Sequence, residues 1–139
     1  MDNPLIKEFV FDASADQVWR ALTDVDQLKK WYFPQIQKFE PVLNFKFEFD
    51  QENAEFQKEW IVTSVEKNRI FAHSWAYKGF AGKSEVTFEI IPHNFQTKLR
   101  VTQTNLSSFP KDVHFRRERF DSGWDNLLGK NLKSLLLTS

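Results

Sequence analysis

Apolar and polar residues alternate through the middle of the chain and switch to a helical period at its end. Leu43, Phe45, Phe47 and Phe49 alternate with Asn44, Lys46, Glu48 and Asp50, which predicts a strand with one wet face. After a polar turn at Gln51-Glu-Asn53, Phe56 to Val65 predicts a second strand whose facing is ambiguous, because Trp60, Val62, Ile61 and Val65 are all apolar. Arg69 to Tyr77 follows, with Phe71, Trp75 and Tyr77 on one face. Lys83 to Ile91 places Val86, Phe88 and Ile90 together, and Gln96 to Thr104 does the same for Leu99 and Val101. Turn signals at Glu66-Lys-Asn68, Gly79 to Gly82 and Pro92-His-Asn94 separate these runs, so an antiparallel meander is expected.

The N-terminal part reads differently. Leu5 to Phe11 has the β-branched and aromatic content of a first strand. Ser14 followed by Gln17 is a capping-box pattern, and it opens a predicted helix from Ala15 to about Thr23 that buries Val18, Trp19 and Leu22. Asp24 to Trp31 predicts a second short helix, with Pro34 blocking its extension. At the other end, Lys111 to Leu137 holds no proline, and Val113, Phe120, Trp124, Leu127, Leu128 and Leu135 recur at helical spacing. Such a helix would be roughly 40 Å long. Gly123 and Gly129 each cost about 1 kcal/mol there relative to alanine, so they mark close packing or a bend. Strand, two helices, a meander and a long helix make an α+β layer architecture in one domain spanning residues 1–139, with no linker or repeat.

Composition removes several function classes. Nineteen basic and nineteen acidic side chains leave no net field to attract nucleic acid or an anionic membrane. Cysteine is absent, which excludes disulfides, thiolate metal sites and a cysteine nucleophile. No apolar run approaches membrane-spanning length and no signal-peptide pattern opens the chain, so a soluble cytoplasmic protein is expected. The three histidines are isolated, outside any HxxxH or HExxH pattern, so no metal is expected; with only 4 glycines there is no phosphate-binding loop, and no cofactor is expected. Aromatic residues make up 16% of the chain, including 15 Phe and 5 Trp. They either fill a phenylalanine-rich core or line a cavity too wide for aliphatic side chains to close.

Four segments carry a resemblance over nearly the whole chain. They are Val18-Trp-Arg-Ala-Leu-Thr-Asp-Val-Asp-Gln-Leu-Lys-Lys-Trp31; Trp60-Ile-Val-Thr-Ser-Val-Glu66 with Ile70-Phe-Ala-His-Ser-Trp75; Ser84-Glu-Val-Thr-Phe-Glu89 with Thr97-Lys-Leu-Arg-Val-Thr-Gln103; and Gly123-Trp124 with Leu127 and Leu132. The pattern resembles the START-like (Bet v-like, SRPBCC) superfamily and, within it, the activator of heat-shock-protein ATPase homology family. The resemblance implies a helix-grip fold: a curved antiparallel sheet of about six or seven strands wrapped around the long C-terminal helix, with a cavity between them. The same scaffold serves lipid carriers, cyclases and co-chaperone modules, so it speaks to fold more than to function.

On that basis the inward-facing large rings are ligand-binding candidates: Trp31, Phe47, Trp60, Trp75, Phe88, Phe120 and Trp124, with Leu127 beside them. Tyr77 and the indole N–H groups would donate hydrogen bonds. His73, on the Phe71–Tyr77 face, is the one candidate acid/base near neutral pH, or else a strand histidine satisfied by a neighbour. Counting 100° per residue from Phe120 puts Arg117 at about 60° and Asn131 at about 20°, within the apolar stripe, where each needs a partner in the protein or on a ligand. Three functions follow as expectations. The first is binding of a small hydrophobic or aromatic ligand. The second is a co-chaperone-like, ATPase-activating interaction module with a chaperone partner. The third is a cyclase- or dehydratase-type enzyme. No motif nominates a reaction, so no catalytic residue is assigned and binding is expected ahead of catalysis. A homodimer through an exposed sheet edge is compatible with the pattern.

Overall fold

The computed structural model describes residues 3–137. Strand β1 (Leu5–Phe11) leads to helix α1 (Ala15–Thr23) and helix α2 (Val25–Trp31). The expected capping box is formed, with the Ser14 hydroxyl accepting from the Gln17 backbone N–H and the Gln17 side chain accepting from the Ser14 N–H. Asp24 ends α1 and caps α2, its carboxylate accepting from the Gln27 N–H. The strands that follow are β2 (Ile36–Lys38), β3 (Glu48–Phe49), β4 (Lys58–Glu59), β5 (Val62–Glu66), β6 (Ile70–Tyr77), β7 (Ser84–His93) and β8 (Gln96–Thr104). A six-stranded antiparallel sheet runs β1-β8-β7-β6, and the far edge of β6 is shared by β4 and β5. Strands β2 and β3 pair separately. The C-terminal helix consists of α3 (Arg117–Asn126), a π-helical segment (Leu127–Leu132) and α4 (Lys133–Leu137), 21 residues in all. The sheet curves around this helix in a helix-grip fold. Among the described residues no helix is long and apolar enough to cross a membrane.

Three boundaries differ from those the residue pattern predicts. The strand expected from Leu43 shrinks to a bridge at Lys46 and the two residues of β3, and Leu43 is exposed. Asn44 takes a left-handed backbone (φ 71°), which breaks the extended run at its start. The strand expected over Phe56 to Val65 is split into β4 and β5. The Gln51 side chain occupies both backbone groups of Lys58 (2.7 and 2.9 Å), and the register of β5 against β6 shifts between Val62 and Ser64. The long helix begins at Arg117 rather than Lys111. A short 3-10 turn (Val113–Phe115) precedes it, and Arg116 is extended (ψ 145°). Val113 is consequently exposed and Phe115 is buried in its place.

The helix seats on the sheet through Phe120, Trp124, Leu128, Leu132 and Leu136, all buried. Four-residue steps drift by about 40° each in a regular α-helix. The widened i→i+5 turns at Leu127–Leu132 take up part of that drift and return Leu128 and Leu132 towards the sheet. Gly129 lies in this segment, where an added Cβ would meet the Phe9 ring at 3.3 Å, so the glycine allows β1 to approach the backbone. Lys7 of β1 fastens the same end, forming ion pairs with Asp121 and with Asp125.

Candidate ligand cleft

Two aromatic regions lie between the sheet and the C-terminal helix. The first is sealed. Helix α2 delivers Trp31 and Tyr32 against the inner face of β6, where Trp31 donates its indole N–H to the Ala21 carbonyl (2.7 Å) and stacks on Tyr32 at 4.5 Å between centroids. His73 is fully buried, stacked on Trp60 at 4.3 Å, with Phe47 and Phe88 also around it. Its Nδ1–H donates to the Ser74 carbonyl (2.9 Å). A carbonyl only accepts, so Nε2 is the unprotonated nitrogen and accepts from the Tyr32 hydroxyl (2.9 Å). Burial lowers the His73 pKa to about 4, against a smaller opposing pull from the Ser74 carbonyl, and burial raises that of Tyr32 well above its ordinary value. The pair is neutral near pH 7 and satisfied within the protein.

The second region is open. A cleft of about 370 Å³ lies between the Trp75–Tyr77 end of β6, β4 and the outer half of α3. Trp75, Tyr77, Phe120 and Trp124 form its buried walls, while Phe33, Phe56 and Leu127 are half-buried around them. Gly123 lines the same cleft, and nothing lies within 4 Å of where its Cβ would be. The polar lining consists of Lys58, Arg119, His114 and Glu55. His114 stacks on Phe56 at 3.6 Å; burial and the positive charges of Arg119 and Lys58 outweigh the nearby Asp112 and Glu55 carboxylates and hold its pKa below the usual value. The Lys58 ammonium sits 4.4 Å from the centre of the Phe33 ring, and burial lowers its pKa. Burial also raises the Tyr77 phenol, against smaller effects of the Trp75 indole and Arg119. The Trp75 N–H bears on that phenol yet completes no hydrogen bond within the protein. Trp124 differs, donating to the buried Gln103 side-chain oxygen (3.0 Å).

Of the residues singled out in the sequence, Trp75, Tyr77, Phe120, Trp124 and Leu127 meet in this cleft. Trp31, Phe47, Trp60, His73 and Phe88 lie in the sealed cluster, so His73 exchanges no proton with a molecule in the cleft. Arg117 is not in the apolar stripe. It is exposed and donates to the Asn3 and Pro4 carbonyls (2.6 and 3.0 Å), because at the first turn of the helix the sheet gives way to the chain entering β1. Asn131 is also exposed. It donates to the Trp31 carbonyl (3.2 Å), one of the unpaired carbonyls at the end of α2. Both polar groups find structural partners. Phe33, Glu55, Phe56, Lys58, His114, Arg119 and Gly123 were missed as lining residues. Only Gly123 carried a readable signal: Phe120, Gly123, Trp124 and Leu127 follow i, i+3, i+4, i+7 spacing, so a residue without a side chain stands in the inward stripe. Among the described residues no group of three His, Asp or Glu side chains is placed to hold a metal ion.

Residues 12–137 match the model of the family described as activator of Hsp90 ATPase homolog 1-like protein. The chain belongs to that family. No curated protein matches the sequence. Among solved structures, the fold is similar to DynU16, a putative protein of the dynemicin biosynthetic locus (TM-score 0.78, 19% identity), covering 99% of this chain but 48% of that one. It is also similar to PFC0360w, an HSP90 activator from Plasmodium falciparum (TM-score 0.74, 20% identity, 96% and 95% coverage). A third similar structure is the Aha1 dimer from Colwellia psychrerythraea (TM-score 0.66, 19% identity, 92% and 98% coverage). At these identities the likeness establishes the helix-grip fold shared within the activator-like family, and the chain spans about half of DynU16.

Proposed function

We propose that this chain binds a small apolar ring compound in the cleft between β6, β4 and the C-terminal helix. The observation that carries this reading is the open space beside Gly123, about 370 Å³ bounded by Trp75, Tyr77, Phe120 and Trp124. Apolar surface withdrawn from water there contributes roughly 25 cal/mol per Å². Native mass spectrometry and a thermal-shift screen against flavonoids, aromatic polyketides and lipids test it. A co-purifying mass, or a stabilisation confined to one chemical class, is expected. Both should disappear in Gly123→Phe, whose ring would occupy the cleft. Absence of any bound species or shift in the wild-type protein would end this reading.

A second reading has its own support in the family match over residues 12–137: an interaction module acting on a chaperone ATPase. Stimulation of Hsp90 ATP hydrolysis by the purified chain, undiminished in Gly123→Phe, would favour it over ligand binding.

A further inference from the structure

The cleft holds two cations without a carboxylate partner, and one of them, Lys58, is half-buried where the other unpaired lysines and arginines among the described residues are exposed. Lys7, Arg20, Lys46, Arg69, Lys98 and Arg100 each lie within ion-pair distance of a carboxylate. Among the described residues Lys58 and Arg119 do not, although both line the cleft. Lys58 is half-buried, with an aromatic face beneath its ammonium and no anion beside it. Glu55 is the one carboxylate in the lining, so two cations against one acid leave a single net positive charge. Unpaired cations beside flat apolar walls are complementary to a molecule that is apolar at one end and an oxygen-bearing monoanion at the other.

We propose that the occupant of the cleft is an aromatic monocarboxylate, its rings against Trp75, Phe120 and Trp124 and its carboxylate answered by Lys58 and Arg119. This rests on the ligand-binding reading above and adds the charge to it. Ring walls favour an aromatic body, because offset and edge-to-face contacts add to the burial of area. The net charge of the lining matches one negative charge and leaves a dianion overbalanced. The lowered pKa of Lys58 is consistent with a cation that lacks its counter-ion.

Isothermal titration calorimetry of the full chain with 2-naphthoate and with its neutral counterpart 2-naphthamide, at pH 7 and low salt, tests the charge separately from the rings. The naphthoate is expected to bind about tenfold more tightly than the amide. In Lys58→Met/Arg119→Met that preference should fall to about twofold or less. Arg119→Gln alone, at an exposed position, keeps the comparison available if the double variant does not fold; it should lower the preference for naphthoate over the amide. Equal affinity of the two probes for the wild-type protein overturns the carboxylate assignment and leaves ring binding standing. A preference that survives in the variants overturns the roles of Lys58 and Arg119. Binding of neither probe overturns this proposal together with the reading beneath it.

Discussion

The region around His73 and the region around Phe120 are built from the same kinds of side chain and end in opposite states. Around His73, rings from α2, β6 and β7 close on one another, and the Tyr32–His73–Ser74 chain of hydrogen bonds uses both ring nitrogens. Around Phe120, the wall is one residue short: Gly123 stands where a side chain would fill the space. Trp75 belongs to both, touching Trp60 at 4.5 Å on the sealed side and Phe120 at 5.6 Å on the open side. The difference lies in whether a neighbouring element supplies the last ring, and aromatic content by itself does not decide it.

The strongest way to break the contrast is to open the sealed side. Trp60→Ala removes a fully buried indole at its centre, and a loss of about 3–5 kcal/mol is expected by denaturant unfolding. A loss under about 1 kcal/mol would mean that the cluster is loosely packed.

Acid should act on the sealed side through His73. Above about pH 6.5 both folded and unfolded chains hold this ring neutral. As pH falls from 6.5 towards the folded value of about 4, the unfolded chain takes up a proton that the folded ring refuses, so stability is lost across that window. The loss assigned to His73 is on the order of 3 kcal/mol, and no more is lost below the folded value. Unfolding measured from pH 7 to 4 for wild type and His73→Leu isolates it, since the variant should show a shallower slope. Identical slopes would mean that His73 is not held neutral.

Tyr32→Phe should cost about 1–3 kcal/mol by leaving the His73 Nε2 acceptor unpaired in the core. The smallest effect belongs to the open side, with opposite sign. Gly123→Ala meets no atom within 4 Å and replaces a helical glycine, so stabilisation by about 1 kcal/mol is expected in thermal unfolding. A destabilised Gly123→Ala would show that the space beside the helix is already filled.

Local pattern carried much of the fold. The capping box set α1, and alternation set β7 and β8, because both depend on neighbours within a few residues. The cleft was less legible. Trp75, Tyr77, Phe120, Trp124 and Leu127 were readable as inward-facing residues, while Lys58, His114 and Arg119 come from separate polar stretches that only the folded chain brings together. Counting along an ideal helix misplaced Arg117 and Asn131, because it knows neither where the sheet ends nor where the helix widens into π turns. The sequence by itself therefore determined β1, α1, α2, β6, β7 and β8, the absence of cysteine chemistry and the supply of aromatic rings. Tertiary structure decided which rings seal a core and which border a cleft, because that depends on partners as distant as Tyr32 and His73, 41 residues apart, meeting on the inner face of the sheet.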